Sequence, residues 1–319
     1  MRARSNIALI KYWGKRDAAL NLPAVGSISI TLEGLWTETR VEFDATLEHD
    51  VLTLDGEQRE EQTRRVTACL DILRERAGTR DRARIDSHNN FPTAAGLASS
   101  ASGFAALVVA ADRALGLGLD ARELSIAARR GSGSAARSLY GGFVEMQRGT
   151  AADGRDSYAQ PLLEADEWPL DVVVAITATA RKPVGSGSGM TRSAMTSPYY
   201  RAWVDTHPAD LAAARAAIHG RDFAALAEVS EHSCLKMHAA ALAAKPALLY
   251  WGPATVACML AIRELRDAGV PVFFTIDAGP QVKAVCEAGH SRRVQDALQA
   301  TGAVVDVLST GLGPGPESI

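Results

Sequence analysis

Four segments of the sequence concentrate residues that could bind an anionic substrate and react with it. The first, residues 89–103 (NNFPTAAGLASSASG), carries small hydroxyls and glycines where an apolar helix should begin. A helix N-terminus exposes unsatisfied backbone N–H groups and a partial positive charge, so a phosphate can bind there when the neighbouring residues are small. Neither the Walker A spacing nor G-x-G-x-x-G is present. The alternative is an ordinary helix cap, in which Ser99 or Ser102 satisfies backbone amides.

The second segment, residues 6–17 (NIALIKYWGKRD), places basic side chains and a phenol beside an apolar strand. If residues 6–12 are extended, Lys11 points to the face opposite Tyr12, and a turn at Gly14 could bring Lys15 back towards Tyr12. Such a cluster could bind an anionic ligand. The alternative is solvated charge at the end of a strand.

The third and fourth segments supply one arginine and one carboxylate. Residues 131–138 (GSGSAARS) surround Arg137 with small residues, and a guanidinium can hold a carboxylate or phosphate through two hydrogen bonds. This segment follows a helix, which argues against a dinucleotide fingerprint. Residues 273–280 (FFTIDAGP) deliver Asp277 to the end of a buried strand, where it could orient or deprotonate a hydroxyl. The alternative makes Asp277 the N-cap of a following helix.

The elements that must position these segments alternate between strands and helices in the first half of the chain. Period-2 patterns, turn dipeptides and the Asp120–Glu123 capping box indicate an antiparallel meander with packed helices. The predicted strands are 27–32, 37–43, 51–54, 82–86 and one from 142, and the predicted helices are 60–76, 104–115 and 121–130.

The second half reads as mainly helical after one buried strand, and the lobe boundary should fall near residues 165–185. Residues 185–189 read as a loose loop because glycine and serine alternate there. The predicted strands are 172–177, 272–276 and 303–308, and the predicted helices are 197–205, 208–218, 222–244, 254–268, 280–288 and 291–300.

Composition narrows the function classes. With 34 basic and 37 acidic residues, the net charge of −3 provides no field to recruit nucleic acid or an acidic membrane, so an anion must meet a local positive cluster. The four cysteines form no C-x-x-C pair and read as buried free thiols. No long apolar window or zinc H-E-x-x-H motif occurs. We expect a cytoplasmic protein with two packed cores.

Taken in order, the four segments, with GSGM at 187–190 between the last two, resemble the diphosphomevalonate decarboxylase family of the GHMP kinase superfamily. The resemblance covers nearly the whole chain. It implies an α+β, two-lobed GHMP kinase fold, with a ribosomal protein S5 domain 2-like lobe at 1–170 that carries the ATP phosphate loop. A ferredoxin-like lobe would follow at 171–319.

The resemblance also implies a reaction and its participants. Mg²⁺-ATP would phosphorylate the 3-hydroxyl of mevalonate 5-diphosphate, and loss of phosphate and CO2 would then give isopentenyl diphosphate for isoprenoid biosynthesis. The small-molecule substrate is expected without nucleic acid or membrane partners, and a homodimer is expected from the family. Mevalonate 5-phosphate decarboxylases and a GHMP-family mevalonate 3-kinase share the framework and stay as alternatives, although Asp277 together with Lys15 favours a diphosphate decarboxylase.

Residue roles follow from matching positions in the family motifs. Asp277 would position or deprotonate the hydroxyl, Arg137 would hold the substrate carboxylate, and Asn6 would place Arg137, while Lys11 belongs to the same catalytic motif. The expected substrate contacts are Tyr12, Lys15, Ser134, Arg137 and Ser188. The expected ATP contacts are Gly96, Leu97, Ala98, Ser99, Ser100, Ser102 and Lys182, with Ser100 also on Mg²⁺.

One departure from the family pattern lies just before the first predicted strand. The family commonly has Asn-Ser-Ser there, whereas this chain has Ala24-Val25-Gly26-Ser27. Two polar contacts to the substrate could therefore be missing.

Overall fold

The computed structural model describes residues 1–91, 99–180 and 183–319. Within these residues the chain forms thirteen strands, eight α-helices and a short 3₁₀ helix at Ala135–Leu139. The strands are β1 Arg2–Ile10, β2 Lys15–Asp17, β3 Leu22–Pro23, β4 Ser27–Asp44, β5 Val51–Leu54, β6 Glu57–Gln58, β7 Arg82–Asn89, β8 Phe143–Met146, β9 Ala159–Leu163, β10 Leu170–Ile176, β11 Val272–Ile276, β12 Val282–Glu287 and β13 Asp306–Gly311. The helices are α1 Glu60–Ala77, α2 Ser99–Leu115, α3 Ala121–Gly131, α4 Ser186–Thr196, α5 Tyr200–Gly220, α6 Phe223–Leu242, α7 Pro253–Asp267 and α8 Ser291–Ala300.

The first half of the chain builds a seven-stranded sheet with the order β6-β5-β7-β4-β8-β9, and β1 pairs with β4. Helices α1, α2 and α3 pack a core rich in alanine, valine and leucine against it. Helix α2 is buried on most of its faces, as its nearly continuous apolar sequence predicts. Asp120 and Glu123 form the predicted capping box at the start of α3.

Two strand predictions in this half were wrong. The strands expected at 27–32 and 37–43 are one long strand, β4, because the exposed residues Glu33 and Gly34 lie in a bulge rather than in a turn. The register with β1 shows the bulge, since Asn6 faces Thr31 whereas Arg4 faces Trp36. The sheet is also not a pure meander, because β5 pairs with β7 in parallel.

The second half builds a four-stranded antiparallel sheet with the order β11-β12-β10-β13. Helices α7 and α8 pack with its buried side chains in one core. The helix predicted at 280–288 is instead the strand β12, and the loose loop predicted at 185–189 begins helix α4. The two helices predicted at 197–205 and 208–218 are the single helix α5, which contains Pro208.

A further core joins the two halves. Ile30 and Phe143 from the first sheet pack in the same cluster as Val172 and Val174 of β10 and residues of α5 and α6. All four cysteines are buried and unpaired, as the sequence predicted. None of the helices described is both long and apolar enough to span a bilayer.

Candidate active site

Residues from all four sequence segments line one cavity of about 970 Å³. Its walls come from β1, the N-terminus of α2, the turn that joins α3 to the 3₁₀ helix, the start of α4 and the turn after β11. The predicted site residues on its lining are Asn6, Lys11, Tyr12, Lys15, Ser99, Ser100, Ser134, Arg137 and Asp277. The structure therefore brings together residues that are far apart in sequence, and the most distant pair, Asn6 and Asp277, is separated by 271 positions.

Asp277 follows the buried strand β11, and its carboxylate lies between two ammonium groups. Nζ of Lys11 is 2.8 Å from Oδ1, and Nζ of Lys283 is 3.3 Å from Oδ2. Burial would raise the pKa of Asp277, but the charges and hydrogen bonds of the two lysines outweigh it and hold that pKa well below its usual range. The N-cap alternative is excluded because residues 282–287 form a strand.

Lys11 directly follows β1 and is almost completely buried, with a side chain 1% exposed. Its ammonium group also donates to the carbonyl oxygen of Ala8 at 2.8 Å. The backbone N–H of Lys11 donates to Oγ of Ser233 on α6 at 3.0 Å. The lysine is thus fixed at both ends, with its charge directed at Asp277.

Arg137 is buried on the 3₁₀ helix and is held by two side-chain acceptors. Nη1 donates to Oγ of Ser27 at 2.7 Å, and Nη2 donates to Oδ1 of Asn6 at 2.9 Å. Asn6 in turn donates to Oγ of Ser138 at 2.7 Å and to the carbonyl oxygen of Ser134 at 3.0 Å. Ser27, which follows the altered Ala24-Val25-Gly26 sequence, therefore keeps a polar contact in the site.

The guanidinium of Arg137 retains binding capacity and charge. Its Nε is buried and has no hydrogen-bond partner among the residues described. Burial lowers the pKa of Arg137 to about 10, an effect that the carboxylate of Asp277 partly opposes. The side chain is still a cation at neutral pH, so it can bind a carboxylate or phosphate that enters the cavity.

Tyr12 and Lys15 lie beside the glycine-rich turn at 131–134. The hydroxyl of Tyr12 is buried and has no hydrogen-bond partner in the described structure. A Cβ atom at Gly133 would lie 2.5 Å from that hydroxyl, so only glycine allows the turn to approach so closely. Burial raises the pKa of Tyr12 and lowers that of Lys15, so the phenol stays a neutral donor.

Two further cations on the cavity wall were not predicted. Arg65 of α1 and Arg130 of α3 line the cavity, and Arg65 donates to the carbonyl oxygen of Gly131 at 2.9 Å. Each belongs to an Arg-Arg pair in a charged helix, which in sequence looks like a solvated face. They add to the local positive cluster that an anionic ligand requires in a chain of net charge −3.

The start of α2 presents Ser99 and Ser100 to the cavity, as expected of a phosphate-binding helix N-terminus. Ser102 does not join them. Its side chain is fully buried, and its Oγ lies 2.7 Å from Oγ1 of Thr37 and 3.2 Å from Oγ of Ser5. The structure gives Ser102 a contact within the fold rather than the predicted phosphate contact.

The remaining predicted residues fall elsewhere. Gly96, Leu97, Ala98 and Lys182 lie outside the described residues. Ser188 is exposed on α4, whereas Ser186 and Gly187 from the same segment line the cavity.

Helix α5 contacts the active-site motif from behind. Nε1 of Trp203 donates to the carbonyl oxygen of Trp13 at 3.0 Å, and Nε2 of His207 donates to that of Gly26 at 2.8 Å. Tyr200 packs against Gly14, where an added Cβ would lie 1.9 Å from the tyrosine hydroxyl oxygen. These three α5 side chains lie on one face of the helix because they are spaced three and four residues apart.

Two family models together match most of the chain. Residues 3–159 match the diphosphomevalonate decarboxylase-like N-terminal domain, and residues 172–305 match the mevalonate 5-diphosphate decarboxylase C-terminal domain. The chain belongs to the diphosphomevalonate decarboxylase family. The resemblance inferred from the four segments is confirmed.

Relatives and solved structures agree with this family. The diphosphomevalonate decarboxylase of Candida albicans is 35% identical over 98% of this chain and 95% of its own. The human enzyme is 38% identical over 86% of this chain and 73% of its own. Mevalonate diphosphate decarboxylase from Staphylococcus aureus is similar with a TM-score of 0.91 and 41% identity, covering 98% of this chain and 95% of that one.

A structure of MDDEF in complex with MVAPP, AMPPCP and magnesium is also similar. It has a TM-score of 0.92 and 40% identity, and the match covers 98% of this chain and 96% of that one. The predicted α+β GHMP kinase fold is confirmed by these structural relatives.

Proposed function

We infer that this chain catalyses the ATP-dependent decarboxylation of mevalonate 5-diphosphate to isopentenyl diphosphate. The observation that carries this function is the placement of Asp277, between Lys11 and Lys283, in the same cavity as Arg137 and the N-terminus of α2. A bare phosphate-binding site would not need an ionised carboxylate and a buried guanidinium beside it. The family to which the chain belongs supports the same reaction.

The chemistry explains why both groups are required. A tertiary hydroxyl is a poor leaving group until it is phosphorylated, and departure of the phosphate then builds positive charge at carbon 3. Asp277 would accept a hydrogen bond from the hydroxyl and afterwards stabilise that developing charge. Arg137 would hold the substrate carboxylate so that the carbon–carbon bond that breaks stays aligned with the departing phosphate.

The cavity also fits ATP with magnesium. Ser99 and Ser100 offer hydroxyls at the positive end of α2, where the phosphates of ATP would bind. No group of three or more His, Cys, Asp or Glu in the described parts of the chain could hold a metal ion. Magnesium would therefore be held mainly by the phosphates, with Ser100 as a protein ligand, and would neutralise charge during phosphoryl transfer.

A diphosphate rather than a monophosphate suits the polar groups around the glycine-rich turn at 131–134. Tyr12 contributes a buried hydroxyl without a partner among the described residues, and Lys15 and Arg65 contribute two cations. Ser134 lies on the same wall, on the glycine-rich turn. These donors exceed what one phosphate group needs, which favours mevalonate 5-diphosphate over the 5-phosphate.

A substrate panel tests the function. Mevalonate, its 5-phosphate and its 5-diphosphate are each supplied with Mg²⁺-ATP, and ADP, CO2 and organic products are measured. We expect CO2 and isopentenyl diphosphate from the 5-diphosphate alone. A stable 3-phosphorylated product without CO2 would show a kinase, and CO2 from the 5-phosphate would move the chain to the monophosphate enzymes.

We also propose two lobes at 1–170 and 171–319, a homodimer and a cytoplasmic location. The chain passes from the first sheet to the second between Leu163 and Leu170, which supports the lobe boundary. The homodimer rests on the family resemblance, and light scattering of the purified protein tests it. Four reduced, buried cysteines suit a reducing compartment.

A further inference from the structure

Lys283 lies behind the carboxylate of Asp277, at a buried position where desolvation of its ammonium group destabilises the fold. It belongs to β12, which pairs with β11 on one side and β10 on the other, and it faces Thr275 in the β11 register. The residue is 2% exposed. Lys283 is not among the described residues that line the cavity. An interior ammonium group destabilises a fold unless a partner compensates for its desolvation.

The partner is Asp277, whose carboxylate has one cation on each oxygen. Nζ of Lys11, the residue after β1, lies 2.8 Å from Oδ1, and Nζ of Lys283 lies 3.3 Å from Oδ2. One ammonium group would suffice to keep the carboxylate ionised. Two of them leave an excess positive charge beside the phosphoryl-transfer site and restrict rotation of the carboxylate plane.

The other titratable groups that face Asp277 and its two lysines do not orient the carboxylate. His238 of α6 is bonded through Nε2 to the carbonyl oxygen of Ile276, and burial lowers its pKa to about 3, so it is neutral. Cys234, also on α6, has its pKa raised by burial and stays a thiol. Arg137 interacts with Asp277 only at longer range and is hydrogen-bonded to Ser27 and Asn6.

We propose that Lys283 is a positioning residue for the decarboxylation, which acts through Asp277 by fixing its carboxylate plane. The proposal deepens the proposed function and rests on it for the choice of substrate. Burial lowers the pKa of Lys283, an effect that Asp277 opposes. Because Lys283 does not line the cavity, its removal should impair the chemical step without weakening nucleotide binding.

Lys283→Met removes the charge but keeps a long apolar stem in the strand. We expect kcat to fall about 10- to 100-fold, the range typical of groups that orient a reacting side chain from behind. The affinity for ATP should stay within about twofold. Because Lys11 remains to keep Asp277 ionised, the loss of kcat should be the same across the neutral pH range. Lys283→Arg, which keeps the charge, should recover most of the lost kcat.

Lys236→Met is the matched control. Lys236 also pairs with an aspartate, since its Nζ lies 2.6 Å from Oδ2 of Asp210, but neither residue lines the cavity. This variant should keep the wild-type kcat and pH profile. If Lys283→Met leaves kcat unchanged, or weakens ATP binding by as large a factor as it lowers kcat, the proposal is wrong.

A double-mutant cycle with Asp277→Asn separates this proposal from the proposed function, because melting temperatures need no enzymatic activity. Asp277→Asn leaves two buried lysines without their carboxylate, so Lys283→Met should raise the melting temperature in that background, whereas it lowers that of the wild type. In the Asp277→Asn background, adding Lys283→Met should lower the residual kcat by less than about twofold. Equal effects of Lys283→Met in both backgrounds would contradict coupling to Asp277, whatever substrate the enzyme proves to use.

Discussion

Two carboxylates, Asp50 and Asp277, are each paired with cations inside the protein, yet only one of them faces the cavity. The side chain of Asp50 is fully buried and is bound by the guanidinium of Arg74, by the hydroxyl of Thr67 at 2.6 Å and by the backbone N–H of Ala83 at 2.8 Å. Every direction from which a ligand could approach is occupied. Asp50 therefore links β5, α1 and β7 and has no capacity for chemistry.

Asp277 differs in exposure and in charge balance. Its side chain is 29% exposed to the cavity, and it has two lysine partners rather than one compensating cation. Burial beside a cation is therefore not by itself the mark of a reactive carboxylate. The marks are an open face and a local charge that the fold leaves unbalanced.

The largest expected effect is on catalysis, in Asp277→Asn. The amide keeps the shape of the side chain but loses the charge that, in the proposed mechanism, would position the hydroxyl and stabilise the positive charge at carbon 3, so kcat should fall about 10³- to 10⁴-fold. ATP should still bind, which fluorescence titration with a nucleotide analogue would measure. A variant that retained wild-type kcat would remove Asp277 from the mechanism.

Asp50→Asn should lower the stability of the fold and leave catalysis unchanged. Removing this charge leaves the buried Arg74 with only the exposed Asp71 as an ion-pair partner, so the free energy of unfolding should fall by about 3 kcal/mol. Urea denaturation measures that loss. The protein that remains folded should keep the wild-type kcat, and a parallel drop in kcat would mean that the two clusters are coupled.

Acid should destabilise the fold through two buried histidines rather than through Asp277, which stays ionised in this range. Burial lowers the pKa of His207 to about 4 and that of His238 to about 3. The unfolded chain therefore binds protons first, and stability should decline as the pH falls below about 6.5, by about 2 kcal/mol per histidine at pH 5. Replacing His207 by Gln should flatten the slope of unfolding free energy against pH, whereas replacing the exposed His232 should not.

The smallest effects should separate two serines of one helix. Ser100→Ala removes a hydroxyl that faces the cavity, so KM for ATP should rise about 3- to 10-fold with stability unchanged. Ser102→Ala breaks the contact with Thr37, so stability should fall by about 1 kcal/mol with KM unchanged. Initial rates and thermal melts on both variants check this, and an exchange of the two results would restore the phosphate contact predicted for Ser102.

The sequence allowed most of the polar site to be predicted, because reactive side chains occur in short local patterns. Lys11, Arg137 and Asp277 were each recognised from their own segment and do share one cavity. The departure before Ser27 stays a prediction. Val25 and Gly26 have no polar side chain, whereas Ser27, which the chain retains, accepts a hydrogen bond from Arg137.

The errors arose where tertiary packing decides the local structure. Strand β12 lies between two other strands, so it is buried on both faces and lacks the alternation that would distinguish a strand from a helix. Helix α4 is rich in glycine and serine, yet Met190 is buried in a cluster with Trp13 and Tyr250. The role of Lys283 could not be predicted, because the sequence around a lysine in an apolar run does not show that it pairs with an aspartate elsewhere in the chain.

The face of α5 formed by Tyr200, Trp203 and His207 supports active-site residues of the first half of the chain, so both halves are needed to build the site. Although Trp13, Gly14 and Gly26 precede the first sheet's central strand, they are held by hydrogen bonds and packing from a helix that follows β10. A protein that ends between β9 and β10 would contain residues 6–17 and the turn before Ser27, but it would lack the α5 side chains that hold them. Transplanting the N-terminal motif into another scaffold would thus require α5 to be transplanted with it.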